Sequence, residues 1–382
     1  FKELLADVEQ RNLQNNIVGL EASRLFARSE INMGVDAFRD SLYAMLKRNT
    51  FLNIKFENML DTLGEMSRTD LYSYLKEWEQ LTPLPFYSIG EPELTKVVNK
   101  GGEEFFVLKV LVSNNSDYDG IIQMNVLQNG WWYQPMEDPR ARKKVEIAAH
   151  TSKEFVSVWE EQIRDVEINT MVSGNLPYMI RQSIGNVKQE RNKIVKDTIY
   201  TLPESSLEMP GEVIVDNEDS TLFVLSTPAV VGLLPKWLDK VEDTSFKYSG
   251  ISWWRAPLQW TATTNAKYYG KYIRSAYVIK SGDGSQTATW KIPVPEAGQY
   301  ELYYHVFKDD ELRWNDRLQG EYHFRVAYDS EMEDAYINLR KANEGWEQLG
   351  TYYFSADTVR VVLTDECKLR SVTADAVKIV KR

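Results

Sequence analysis

The residues best suited to chemistry are the aromatic ones between Phe246 and Tyr277. Trp253, Trp254, Trp260, Tyr268, Tyr269, Tyr272 and Tyr277 fall within this short span, interleaved with Arg255, Lys267, Lys271 and Arg274. Sugar rings present apolar C–H faces that stack on indole and phenol rings, while neighbouring polar groups bond their hydroxyls. Trp253, Trp254, Trp260, Tyr268 and Tyr269 are therefore candidate sugar platforms. Consecutive tryptophans on a strand point to opposite faces, so at most one of Trp253 and Trp254 belongs to a core. Trp314, flanked by Arg313, Asn315 and Asp316, reads as a loop tryptophan and joins the candidates. Trp131, Trp132 and Tyr133 form a third patch, equally readable as an interdomain contact. The alternative for each ring is that it fills a sandwich core or docks on a neighbouring domain.

A second constellation is acidic. Asp216, Asn217, Glu218 and Asp219 carry hard oxygen ligands, which makes Asp216 and Asp219 candidate ligands of a structural calcium ion. The spacing is not that of an EF-hand loop, and a solvated turn explains it equally well. No other cofactor is implied. Zinc hydrolysis requires His-Glu-x-x-His, but none of His150, His305 and His323 opens that motif. His305 and His323 fall on predicted strands that could neighbour each other, without a third ligand nearby in sequence; hydrogen-bonded histidines are the simpler reading. There is no Gly-x-Ser-x-Gly elbow, phosphate-binding loop or dinucleotide fingerprint. No catalytic residue is assigned.

The composition sets bounds. The chain has 382 residues, room for two or three domains, and 43% of them are apolar. Its formal charge of −11 argues against a nucleic-acid surface, which needs clustered cations facing phosphates. No apolar run is long enough to span a membrane. A single cysteine, Cys367, excludes an internal disulfide and a thiolate metal site, and reads as ordinary packing at a strand end. The sequence begins at Phe1, without Met or a signal peptide, and is read as part of a longer precursor.

The elements that position these residues follow from hydrophobic periodicity. Residues 1–90 read as a helical bundle. Leu4 to Arg28 is one helix; Phe38, Leu42, Met45 and Leu46 mark a second after Gly34; Phe56, Met59, Leu60 and Leu63 mark a third. Ser67 or Thr69 then caps a helix whose buried face is Leu71, Tyr74, Leu75 and Trp78. Residues 91–175 alternate in short strands separated by turns, as in a small Ig-like antiparallel β-sandwich. Leu176, Met179, Ile180 and Ile184 give residues 176–210 a helical spacing, expected as a helical linker. From Gly211 to Arg382 alternating runs recur, bounded by Gly, Pro, Asn and Asp. None buries its apolar face alone, so they must pack as two sheets. The expected class is multidomain α+β: helical bundle, Ig-like sandwich, and a C-terminal jelly-roll-like β-sandwich.

Four runs in the C-terminal part carry a resemblance. Ile214-Val-Asp-Asn-Glu-Asp219, Ala297-Gly-Gln-Tyr-Glu-Leu-Tyr303, Gly345-Trp-Glu-Gln-Leu-Gly-Thr-Tyr-Tyr-Phe354 and Ala374-Asp-Ala-Val377 resemble the golvesin C-terminal-like domain, also described as xanthan-lyase carbohydrate-binding-like. The resemblance implies a jelly-roll-like sandwich attached to extracytoplasmic bacterial proteins and a carbohydrate or cell-wall glycan as partner. The interval Leu222 to Tyr277 departs from the family pattern. Residues 20–175 are similar in spacing to the helices and small sandwich that follow the zinc site in gluzincin aminopeptidases, which implies a zinc-bearing half upstream. The leading expectation is a non-catalytic accessory region that binds carbohydrate at the cell surface or in the periplasm. One alternative is the downstream half of a zinc aminopeptidase-like protein; another is a structural protein–protein interaction module.

Overall fold

In the computed structural model the chain divides into two compact units, residues 1–207 and 208–382. The structure describes all residues except 1–10, 51, 74–82, 129–137, 186, 192–194, 206, 208–210, 227–246, 249–250, 252–254 and 309–319, and the side chains of 11–17, 128 and 139.

The first unit opens with α1 (Arg11–Met33), α2 (Val35–Arg48) and α3 (Phe56–Ser67). Gly34 breaks the first two apart at φ 87°, a backbone region that favours glycine. Leu25, Phe38, Leu60, Leu63 and Leu71 form the small core between the helices. The expected stripe is only partly buried. Phe38 and Met45 face inward, whereas Leu46 and Phe56 are exposed at the edges of the helical faces. The cap of the following turn is neither Ser67 nor Thr69 but Asp70, whose Oδ1 accepts the Ser73 N–H at 3.0 Å. Ser67 instead donates to the Leu63 carbonyl inside α3.

Strands β1 (Tyr87–Ile89), β2 (Glu93–Val98), β3 (Glu104–Asn114), β4 (Gly120–Gln128), β5 (Arg142–Ile147), β6 (Thr151–Trp159), β7 (Ile163–Asn169), β8 (Met179–Ser183), β9 (Val187–Arg191) and β10 (Thr198–Pro203) make two sheets. One has the order β10-β6-β3-β2-β9 with β1 on β3; the other has the order β5-β4-β7-β8. Leu108, Val110, Val112, Ile122, Met124, Phe155, Trp159 and Ile168 fill the space between them. Ala27 of α1 packs with Ile121 and Met171, and Arg28 and Glu30 bond Glu146 and Lys144 on β5, so the helices and this sandwich share one unit.

Residues 176–210 are not a helical linker. They supply β8, β9 and β10, which pair with β7, β2 and β6. Ile180 is buried while its strand neighbour Met179 is exposed, as on the two faces of a sheet, and pairing to open sheet edges outweighs the short helical spacing.

The second unit contains β11 (Glu212–Val215), β12 (Phe223–Leu225), β13 (Thr261–Thr264), β14 (Ser275–Lys280), β15 (Thr287–Pro293), β16 (Gly298–Val306), β17 (Glu321–Tyr328), β18 (Glu331–Asn338), β19 (Gly345–Phe354), β20 (Thr358–Thr364), β21 (Ser371–Ala374) and β22 (Val377–Lys381). A four-stranded sheet β11-β22-β16-β19 and a five-stranded sheet β12-β15-β20-β17-β18 enclose the core, and β13-β14-β21 form a third sheet. Alternation decides the faces. Tyr300, Leu302, Tyr304 and Val306 point inward from β16, and Tyr322, Phe324 and Val326 from β17. Tyr304 meets Phe324 at 4.9 Å between ring centres. His305 and His323 are therefore not neighbours: each occupies an outward position on a different sheet, because their strands lie on opposite sides of one core.

Candidate functional site

The outer face of the four-stranded sheet concentrates aromatic rings. Pairing sets His305 opposite Trp346, Tyr303 opposite Gln348 and Lys378, Glu301 opposite Thr351, and Gln299 opposite Tyr353. Cross-strand partners share a face, so Trp346, Tyr303 and Tyr353 run along it, together with His305 and Lys378. The span from Trp346 to Tyr353 is roughly 20 Å at ordinary strand rise. Tyr353 is exposed; Trp346 and Tyr303 are half-buried. Lys378 is almost buried among them, its ammonium 4.8 Å from the Trp346 ring centre, 5.4 Å from that of Tyr303, and 2.8 Å from Glu212. Tyr303 donates to Glu301 at 2.6 Å, and Arg382 holds the same carboxylate at 2.9 Å. These bonds hold the Glu301 carboxyl below its ordinary value. The result is a strip of rings, Trp346 and Tyr303 held by their neighbours and Tyr353 open to solvent, edged by carboxylates, amide and ammonium groups.

One end of the strip is braced from beneath. Asp375, fully buried at the corner between β21 and β22, accepts from His305 Nδ1 at 2.8 Å and from the Tyr269 N–H at 3.2 Å. Its backbone carbonyl accepts from Trp290 Nε1 at 3.3 Å. These bonds bring the Tyr269 ring to 5.1 Å from Trp346 and 5.8 Å from His305. The loop carrying Tyr269 is itself closed. Asn265 bonds Lys267 and Arg274, the residue just before β14, and Arg274 Nη1 donates to the Ala266 carbonyl at 2.9 Å. Gly270, at φ 149°, brings the chain so close to Ile273 that a Cβ would lie 2.0 Å from its carbonyl oxygen; only glycine fits.

The brace contains a second acid. Burial pushes the Asp375 carboxyl up, against the opposing influence of His305. Burial and the neighbouring Asp375 charge push Asp216 well above the carboxylate range. Glu218 behaves oppositely: burial alone would raise it, but bonds from Lys247, Ser275 and Tyr248 together hold it low. Against the penalty of burial, the same carboxylate raises Lys247 to about 12. Burial and Glu218 push Tyr248 up to about 12. The runs Val215-Asp-Asn-Glu218, Gly345-Trp346 and Ala374-Asp-Ala-Val377 thus meet at one corner, although more than a hundred residues separate the first from the others.

The structure sorts the expected sugar platforms. Trp253, Trp254 and Trp314 lie outside the described residues, as do Trp131, Trp132 and Tyr133. Tyr268 is no platform: it is buried, with its ring 4.7 Å from Phe307, because the loop closes over it. Trp260 is half-buried against the sandwich core. Of the three candidates among the described residues, Tyr269 joins the strip. Asp216 and Asp219 share a turn, the Asp219 N–H donating to the Asp216 carbonyl at 3.1 Å, but their carboxylates have different partners. Asp219 Oδ1 accepts from Thr221 and Leu222 in its own turn, while Asp216 turns inward toward Asp375. Among the described residues no group of three or more His, Cys, Asp or Glu is placed to hold a metal ion. Cys367 is partly buried, and burial raises its thiol. Sequence reasoning missed Trp346, Tyr303 and Asp375. The available signal was alternation: on β16 and β19 it assigns Tyr303 and Trp346 to the outward face.

Residues 253–381 match the family model of the Golvesin C-terminal domain. Within the C-terminal sandwich, residues 253–381 form a Golvesin C-terminal domain. This is a carbohydrate-binding-like, non-catalytic accessory domain family. No curated protein matches the chain. Among solved structures, a calcium-binding mutant of Bacteroides uniformis β-glucuronidase 2 is 11% identical, with 83% of this chain and 33% of that chain covered and a TM-score of 0.22. A crystal structure of Bacteroides uniformis β-glucuronidase is 12% identical, with 83% and 32% covered and a TM-score of 0.21. This chain spans about a third of the length of those enzymes, and a likeness at that level lends nothing to fold or function. The comparisons give the aminopeptidase-like resemblance of residues 20–175 no support. No helix among the described residues is long and apolar enough to cross a membrane.

Proposed function

We propose that the Golvesin domain binds a carbohydrate chain, such as a cell-wall glycan, along the outer face of its four-stranded sheet, as the accessory region of a secreted protein. One observation carries this reading: Trp346, Tyr303 and Tyr353 share a face, with Tyr269 and Lys378 fixing the rings at one end. Rings held in place before binding lose little freedom when a sugar stacks on them. Glu301, Gln348 and Thr351 alternate with the rings and supply bonds to hydroxyls. Golvesin-type domains occur in secreted proteins, which supports an extracytoplasmic site of action. The test is affinity electrophoresis of the full chain against a panel of polysaccharides and peptidoglycan. Retardation by at least one ligand, relieved in a folded Trp346→Ala variant, supports the reading. Unchanged retardation in a Trp346→Ala, Tyr353→Ala double variant removes this face from it.

A further inference from the structure

The opposite face of the Golvesin sandwich holds a different kind of site. A cleft of about 340 Å³ opens at the edge of the five-stranded sheet. Its floor is two cross-strand pairs, His323 with Tyr336 and Glu321 with Asn338, and Glu366 and Lys368 form its wall. Tyr336 lies flat on His323, with ring centres 4.9 Å apart and planes within 8°. His323 is clamped at both nitrogens, by Asp334 at 2.7 Å and Glu366 at 3.3 Å. The His323 ring is thus oriented beneath Tyr336, and more than half of the Tyr336 surface faces solvent.

The rest of the cleft is equally fixed. Asn338 donates to Glu321 at 3.2 Å, and its carbonyl oxygen accepts the Arg340 N–H at 3.1 Å. Across the opening, buried Asp365 accepts the backbone N–H of Gly284 at 2.8 Å, and a Cβ on Gly282 would sit 2.1 Å from its carboxylate. Glycine there lets the loop close against Asp365 and shape the wall.

We propose that this cleft is a second binding site, for a single neutral sugar ring such as the end residue of a glycan. The inference rests on reading the domain as a carbohydrate binder, but on a separate face. Tyr336 supplies a fixed aromatic face for one ring, while Glu321, Asn338, Glu366 and Lys368 supply acceptors and donors for its hydroxyls. The volume lies at the small end of ligand sites, roughly 300–1,000 Å³, so the cleft holds one ring and not a chain. Glu321 and Glu366 outnumber Lys368 among the lining residues, which disfavours a sugar carboxylate.

The experiment is ligand-observed NMR on the full chain with methyl glycosides of neutral hexoses and the matching uronates, beside polysaccharide electrophoresis of the same samples. At least one neutral glycoside is expected to bind, with its uronate weaker, and Tyr336→Ala to weaken it roughly tenfold. Tyr336→Phe retains the ring and is expected to bind nearly normally, which separates stacking from misfolding. Trp346→Ala leaves this signal unchanged. No signal from any neutral glycoside, or a signal equal in wild type and Tyr336→Ala, overturns the cleft whatever the polysaccharides do. Polysaccharide binding lost in Trp346→Ala with no glycoside signal leaves the strip standing alone. A glycoside signal weakened in Tyr336→Ala, together with polysaccharide binding lost in Tyr336→Ala but not in Trp346→Ala, leaves the cleft standing and the strip refuted.

Discussion

Each of the two units holds a histidine against carboxylates, and burial sets them apart. In the first unit His150 bonds Asp117 and Glu204 at 2.7 Å each, with half of its side chain in solvent. In the second, His305 bonds the fully buried Asp375 at 2.8 Å and is itself largely covered. Both pairs are short, yet they do different work. In water the His150 pair competes with solvent and is screened by salt. In the Golvesin sandwich the same pairing positions Tyr269 beside Trp346, because a buried carboxylate must find every donor within reach. An identical contact fastens a surface loop in one unit and braces the edge of a candidate binding face in the other.

The strongest break in this comparison is Asp375→Ala. It strips His305 and the Tyr269 N–H of their acceptor and leaves a cavity, so the second unit should lose about 3 kcal/mol or more in denaturant titration. A loss of less than 1 kcal/mol would show that the brace does not hold the corner. Next in size is Trp346→Ala, expected to weaken polysaccharide binding by about 1–2 kcal/mol with the second unit still folded, as read by affinity electrophoresis and circular dichroism.

The third prediction concerns pH. Asp216 and Asp375 have folded values above the ordinary 3.8, so each binds its proton more tightly when folded. Their contribution to stability is complete below pH 3.8 and is lost as pH rises through the folded values. Asp216→Asn removes one of these acids and keeps an acceptor for the Asn217 N–H. The variant should gain on wild type between pH 4 and 7 in thermal melts; a gap that does not widen with pH refutes the coupling. The smallest effect belongs to Asp117→Asn. Its partners Asp117 and Glu204 raise His150, so that pair stabilises below the ordinary 6.5 and fades as pH rises through the folded value. Exposure should leave the melting temperature at pH 7 indistinguishable from wild type.

Much of the fold was legible because alternation is local. The runs around Phe105, Glu154, Tyr300 and Tyr322 announce strands by their own two-residue period, and the helices around Phe38 and Leu60 by theirs. The segment 176–210 misled for a complementary reason. Four apolar residues at helical spacing fit strands as well when Ile180 is buried, Ile184 packs on the core and Leu176 and Met179 stay exposed, and the open edges of two sheets settled it. The candidate site was less legible. Aromatic density pointed to the span 246–277, yet Tyr268 is core and Tyr269 is at the strip, although they are adjacent. A closed loop follows no simple period, so neighbouring residues take faces set by where the loop folds back.

By itself the sequence determined most of the strand runs of the second unit, though not β13, β14 or β18, and the family that residues 253–381 match. Those depend on patterns a few residues long. Tertiary structure alone decided that Asp216, Trp346 and Asp375 share one corner, and that His305 and His323 stand on opposite faces. Strand order and register govern such meetings, and they are fixed by burial of the whole core rather than by any one run of residues.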